Sequence, residues 1–299
     1  MRKKNRRFLL YTVVASVLVL TACQARNITD HIPQLLQRTD VQAEIGKAFG
    51  PVEQKVAAGD GFVVMSPDKG GARELAYVAP ADGGAWQLAG QRVSLPNAAS
   101  ATLSVDSDMA VVETMKENAP QYTAYKYSGS GLEPTDWYAA KAPDPAVKTG
   151  SFVVVNKYLN ALWYFDNGKL VKTFRVATGR DSTGPQATWD DYKTNFVTPE
   201  GTFKITDFKL NPSYTGFKPG DEHHQFAGGA PDNPLGTRWM GFSVLKNDGA
   251  NIWGIHGTSE PDKIGTWASD GCIRLYTQQV EQLFALIQGK SPTLQVVAK

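Results

Sequence analysis

Short apolar or alternating runs, each closed by glycine, proline, aspartate or asparagine, fill most of this chain and leave room for one convincing long helix. Segments of that length suit strands and are too short for packed helices, so the pattern constrains the chain to a mainly β architecture. Residues 61–65, 74–78, 86–95 and 101–105 are runs of this kind, separated by Pro-Asp-Lys-Gly-Gly, Pro-Ala-Asp-Gly-Gly and Leu-Pro-Asn. Those separators are turn chemistry. Later, 152–156 and 161–165 read as strands, and Asp166-Asn167-Gly168 reads as a hairpin turn into 169–177. Further strands are expected at 201–208, 239–245, 252–256 and 293–297. Val280, Leu283, Phe284 and Ile287 recur at helical spacing, with Thr277 as the expected cap and Gly289 beyond the end. Shorter helical stretches are expected within 33–49 and near 108–118. The fold expected is a mainly β sandwich or partly closed barrel with one late helix, preceded by a smaller β-rich N-terminal domain.

The chain begins with Arg2, Lys3, Lys4, Arg6 and Arg7, followed by an apolar run over 8–20 that is short for a membrane-spanning helix. The run ends in Leu20-Thr21-Ala22-Cys23, which resembles the bacterial lipobox, a signal for cleavage and acylation at Cys23. Export to a bacterial cell envelope follows from this reading, with lipid on Cys23 holding the chain at a membrane surface. The expected organisation is a signal peptide at 1–23, a tether with an accessory β-rich domain at 24–148, and a second domain at 149–299. Lys141-Ala-Pro-Asp-Pro-Ala-Val147 is the expected linker, extended by its prolines. A formal net charge of +2 over 299 residues gives nucleic-acid binding no electrostatic support. Tyr122, Tyr125, Tyr127, Trp137 and Tyr138 form an aromatic group before the linker. Packing explains it better than stacking on sugar rings.

With Cys23 acylated, Cys272 is the only thiol left free. An unpaired thiol in an exported protein risks oxidation, so its presence calls for a chemical reason. His256 supplies one, sixteen residues upstream, since imidazole can take the thiol proton and thiolate is the nucleophile. Gly271 permits close backbone approach, and the Gly271 and Cys272 amides could point at a developing oxyanion. No Asp or Asn stands where it would orient the imidazole, so the Gly257 carbonyl is the expected orienter through Nδ1. Arg274 projects with Cys272 if the chain there is extended, and a guanidinium suits a substrate carboxylate. Taken singly, Cys272 beside Ile273 reads as core, and His256 beside Ile255 as a satisfied strand-end histidine. The combination favours chemistry. His223, His224, His256 and Cys272 are nominal zinc ligands without metal-type spacing, so no metal or cofactor is expected.

The His256-Gly257-Thr258 and Ser269-Asp270-Gly271-Cys272-Ile273-Arg274 motifs, with the interval between them, resemble the L,D-transpeptidase catalytic domain, also called the YkuD domain. Thr198-Pro199-Glu200-Gly201-Thr202-Phe203 and Asn233-Pro234-Leu235-Gly236-Thr237-Arg238 extend that resemblance, which spans roughly 149–297 and leaves the front half uncovered. It implies a β-sandwich-like domain that acts on peptidoglycan stem peptides without a cofactor. Cys272 would be the nucleophile, His256 the base, and Gly257 its orienter. Ser269 would shape the nucleophile loop, and Arg274 would bind substrate or organise the pocket. The reaction implied is attack at the L-centre of a stem-peptide diamino acid, release of D-alanine and transfer to an amine. Water as acceptor would give an L,D-carboxypeptidase instead, and a chain without the chemistry would be a lipid-anchored peptidoglycan-binding protein. Carbapenem acylation of the cysteine is a family trait.

Many relatives carry His where this chain has Asp270. A carboxylate there could raise the thiol pKa or attract a cationic acceptor amine. Asp270 and Arg238 complete the expected substrate-binding set with Arg274 and Ser269, Arg238 alternatively pairing with an internal acid. His223 and His224 are expected in a loop, either over the cleft or simply solvated at the surface, and Trp189 and Tyr192 in another loop that could line the pocket.

Overall fold

The computed structural model describes residues 39–81, 85–180, 196–218, 220–242 and 253–298. Cys23, Trp189 and Tyr192 lie outside them. The chain forms two compact units. One comprises the described residues up to Ala99 with Leu103–Ala110 and Tyr125–Glu133. The other comprises Ser100–Thr102, Val111–Ala124 and Pro134–Lys299.

The first unit opens with helix α1 (Thr39–Phe49), followed by β1 (Gln54–Ala58), β2 (Gly61–Met65), β3 (Arg73–Pro80) and β4 (Trp86–Leu95), an antiparallel meander in sequence order. Ile45 and Phe49 of α1 pack on Phe62, Val64, Ala76 and Val78. Alternation along β2 and β3 supplies that apolar face. A second meander holds β5 (Thr102–Asp106), β6 (Met109–Lys116), β7 (Ala119–Ser128) and β8 (Gly131–Thr135).

The helix expected near 108–118 is therefore a strand. Met, Ala, Glu and Lys suit a helix locally, but Val111 and Val112 favour a sheet. Glu117 and Asn118 take φ of 49° and 66°, which closes a tight hairpin that no helix would allow. Tyr122 lies 4.1 Å from Trp137, which begins the short helix α2 (Trp137–Ala140), and 6.3 Å from Tyr138. The Tyr138 carbonyl accepts from Trp163 Nε1 at 2.7 Å, so these rings are packing.

The second unit is organised by one eight-stranded sheet. In chain order its strands are β9 (Ser151–Asn156), β10 (Ala161–Asp166), β11 (Lys169–Arg175), β13 (Gly201–Leu210), β16 (Arg238–Phe242), β17 (Gly254–His256), β19 (Ile273–Arg274) and β20 (Thr293–Val297). Their spatial order is β11-β10-β9-β20-β13-β16-β17-β19, with β9–β20 and β17–β19 parallel. Two small pairs accompany it: β12 (Thr178–Gly179) with β18 (Trp267–Ser269), and the hairpin of β14 (Tyr214–Lys218) with β15 (Asp221–Phe226). The β10–β11 hairpin turns on Asn167 and Gly168 at φ of 50° and 77°, as Asp-Asn-Gly implies.

Helix α3 (Thr277–Ile287) delivers the chain into β20 and seals one face of this sheet. Val280, Leu283, Phe284 and Ile287 are buried against Val153, Val155, Ile205, Met240, Phe242, Ile255 and Ile273. Tyr276, not Thr277, occupies the helix cap, and no side chain caps it. The fold is mainly β with one late helix, as the sequence implies.

Leu283→Ala, which empties a fully buried position under the sheet, should cost about 2–5 kcal/mol of stability. Exposed Gln282→Ala should stay within about 0.5 kcal/mol by urea unfolding.

Candidate active site

Strand alternation decides which residues can meet. Parallel pairing of β17 with β19 sets Ile255 opposite Ile273 and His256 opposite Arg274. Ile255 and Ile273 point into the core against α3, so Gly254, His256, Cys272 and Arg274 share the other face. Cys272 immediately precedes β19 and, by that register, lies diagonal to His256 on the same face.

The imidazole is buried, and its Nδ1 lies 2.7 Å from the Gly257 carbonyl oxygen. A carbonyl only accepts, so Nδ1 carries the proton and Nε2 holds the free lone pair. Gly257 is held by its amide donating to the Leu235 carbonyl at 3.0 Å. Gly236, at φ 63°, passes so close that a Cβ there would sit 2.9 Å from Gly257 Cα. Asn233 shapes that loop: its amide nitrogen donates to the Pro212 and Ala227 carbonyls, and its Oδ1 accepts from the Leu235 amide. The Asn233–Thr237 motif thus builds the rail beneath the histidine.

Cys272 is a free, half-buried cysteine. Burial pushes its thiol up to about 11, against the Gly254 amide and the Arg274 guanidinium, which pull it down; Asp270 adds a small push upward. Burial, helped by Arg274, pushes His256 down to about 3, partly opposed by the Gly257 carbonyl. Both groups rest neutral near pH 7.

Residues 150–296 match the L,D-transpeptidase catalytic domain family, YkuD. That span is an L,D-transpeptidase catalytic domain. YqjB of Bacillus subtilis, named as an L,D-transpeptidase, is 38% identical over 136 residues, which cover 46% of this chain and 65% of that protein. YkuD of Bacillus subtilis, named likewise, is 28% identical over 121 residues, 40% of this chain and 51% of that protein. The chain thus spans about half to two-thirds of the length of these relatives. An L,D-transpeptidase from Mycobacterium smegmatis aligns in structure with a TM-score of 0.36 at 14% identity, covering 83% of this chain and 99% of that one.

Within this L,D-transpeptidase domain several expected contacts are different. The Gly271 amide donates to Ser269 Oγ at 3.1 Å, so it is engaged within the turn and not turned toward an oxyanion. Ser269 is fully buried and its hydroxyl donates to the Cys272 carbonyl at 2.5 Å. It closes the nucleophile turn and cannot touch substrate. Gly271, at φ 109°, admits no side chain, since a Cβ would lie 2.6 Å from Trp253 Nε1. Arg238 points to the helix side, adjacent in sequence to Trp239 and therefore on the opposite face. It donates to the Thr237 carbonyl, pairs with Glu281 at 3.5 Å and lies over the Phe284 ring. The internal acid expected as its alternative partner is Glu281.

Asp270 is exposed and paired with Arg180 at 2.5 Å. Arg180 in turn lies 3.7 Å over the Phe196 ring. Arg274 remains on the site face, mostly covered and 3.0 Å from Glu260. His223 and His224 lie on β15, not in a loop, with His224 edge-on to Phe226 at 4.6 Å.

Sequence reasoning missed Tyr214 and Trp239. Burial first, then the charges of Cys272 and Asp270, raise the Tyr214 pKa, partly opposed by Arg274. Trp239 is the cross-strand partner of His256. Neither has a local motif. Trp239 reaches His256 through register.

A resting thiol at about 11 should give iodoacetamide alkylation of Cys272 that rises with pH from 6 through 9 without levelling. A plateau reached below pH 7 would instead mark a preformed thiolate–imidazolium pair.

Proposed function

We propose that this protein is a peptidoglycan L,D-transpeptidase that uses Cys272 as nucleophile and His256 as general base. The observation that carries the reading is the pairing of β17 with β19 inside the matched domain. It sets a half-buried thiol and a neutral imidazole with free Nε2 on one face.

As the thiol attacks the carbonyl at the L-centre of a stem-peptide diamino acid, its proton passes to Nε2. The new bond is Sγ–C. Collapse breaks the C–N bond, and the departing D-alanine amine takes the proton from the imidazolium. An amine acceptor then reverses the sequence: Nε2 removes its proton, nitrogen attacks the thioester, and the thiol is released. Gly257 holds the tautomer that lets one imidazole serve both halves. Arg274 brings positive charge to the face where thiolate and oxyanion develop. With the Gly271 amide engaged, the Cys272 amide is the nearer oxyanion donor of the two.

Lipid attachment at Cys23, and with it an extracytoplasmic place at a bacterial membrane, is supported by the basic start, the short apolar run and Leu20-Thr21-Ala22-Cys23. Protein isolated from membranes should then carry acyl mass on its N-terminal cysteine, and unmodified mass would refute the anchor.

Purified protein incubated with tetrapeptide muropeptides should yield dimers lacking one D-alanine, identified by mass. Cys272→Ala and His256→Ala should each abolish them. Tripeptides alone would show water as acceptor, and no product from folded protein would contradict the assignment.

A further inference from the structure

Trp239 is buried and stacks on the His256 ring, with centroids 5.7 Å apart and planes 19° from parallel. The two are directly opposed on antiparallel strands β16 and β17. The indole also covers Gly254: a Cβ there would fall 2.6 Å from Trp239 Cη2. It therefore fills the place that a side chain beside His256 would otherwise take. Its far end is fixed as well, since Nε1 donates to Asp207 Oδ2 at 3.0 Å. Lys209 lies 3.1 Å from the same carboxylate. Register continues the row, because Asp207 pairs with Gly241 and Lys209 with Trp239.

Across four strands the order on this face is thus Asp207 and Lys209, Trp239, His256 with Gly254, then Cys272 with Arg274. The charged and titratable groups facing the imidazole are Cys272 and Arg274 from one side, with Glu260 behind Arg274. From the other side, Asp207 and Lys209 act through the indole. The Asp207 carboxylate satisfies the buried indole N–H and fixes the ring in its place beside the imidazole.

We propose that Trp239, anchored by Asp207, is a positioning residue for His256. Its indole face holds the imidazole aimed at Cys272 and favours the imidazolium that forms when the thiol gives up its proton. The physical basis is twofold. A ring with one hydrogen bond from Nδ1 can still swing about that bond, and a flat wall on one side removes the freedom. A π face beside a ring that becomes cationic stabilises the charged form, more so when desolvated. The Asp207 carboxylate on the indole N–H draws positive charge to the far edge of the ring and enriches its face. Any base that must gain and lose a proton in each half-reaction profits from such a wall twice.

The inference rests on His256 acting as the base, so the experiment separates the two. In the full chain, the maximal rate of carbapenem acylation at pH 7 and the half-saturating concentration are measured separately by intact mass. The variants are Trp239→Leu, Trp239→Phe, Asp207→Asn and His256→Ala, each with its melting temperature. Trp239→Leu should lower the maximal rate about tenfold, with half-saturation unchanged. Trp239→Phe keeps an aromatic wall and should retain at least about a third of the rate, and Asp207→Asn should lose about two- to threefold.

Trp239→Leu within twofold of the parent protein overturns the proposal, as does a raised half-saturating concentration at unchanged maximal rate. If Trp239→Leu does not fold, a Trp239→Phe protein as slow as about a tenth of the parent, or an Asp207→Asn protein at the parent rate, overturns it. Acylation that persists in His256→Ala removes the base assignment itself. Loss in His256→Ala with parent-like Trp239 and Asp207 variants removes only the wall.

Discussion

Two short parallel strands hold the chemistry of this domain together. Ile255 opposite Ile273 and His256 opposite Arg274 form a register that buries both isoleucines on α3 while turning His256, Cys272 and Arg274 to the other face. A slip of β19 by one residue would turn Arg274 into an apolar core and Ile273 out of it, a penalty on the order of several kcal/mol. The site is therefore specified by hydrophobic burial beneath it. Catalytic groups on β17 and β19 need no hydrogen bond to each other in order to be placed, because the core places them.

Around that register the backbone is packed too tightly for side chains. Gly236 runs against Gly257, Gly254 lies under Trp239, and Gly271 lies against Trp253. Each glycine lets a neighbouring element approach within a distance no Cβ would permit. The consequence is a rigid floor with two neutral titratable groups on it. Keeping both neutral at rest avoids burying an ion pair, whose desolvation would be costly. Arg274 supplies charge where the reaction later needs it, and Glu260 balances it meanwhile. Asp270, which stands beside the thiol in sequence, is paired with Arg180 and still adds a small upward push on the thiol.

Much of this was legible because its determinants are local. The Asp166-Asn167-Gly168 turn, the α3 periodicity and the glycine-flanked His256 and Cys272 each depend on a few consecutive residues. The Gly257 carbonyl was legible for the same reason, being the next peptide along. What failed depended on partners distant in sequence. Residues 109–116 suit a helix in isolation and become β6 because strands flank them. Arg238 and Ser269 sit beside important residues in sequence, and alternation or turn closure takes their side chains elsewhere. Trp239 and Tyr214 were invisible because nothing near them in the chain marks the strand they would face.

The central claim is that a neutral imidazole, protonated on Nδ1 by its bond to the Gly257 carbonyl, presents a bare Nε2 to the Cys272 thiol. Nitrogen-15 spectra of the histidine side chains at pH 7, in the parent protein and in Cys272→Ala, test it most directly. The account predicts that His256 shows the neutral Nδ1–H tautomer and that its Nε2 resonance moves when the sulfur is removed. A cationic ring, the opposite tautomer, or an Nε2 signal indifferent to the loss of Cys272 would contradict it.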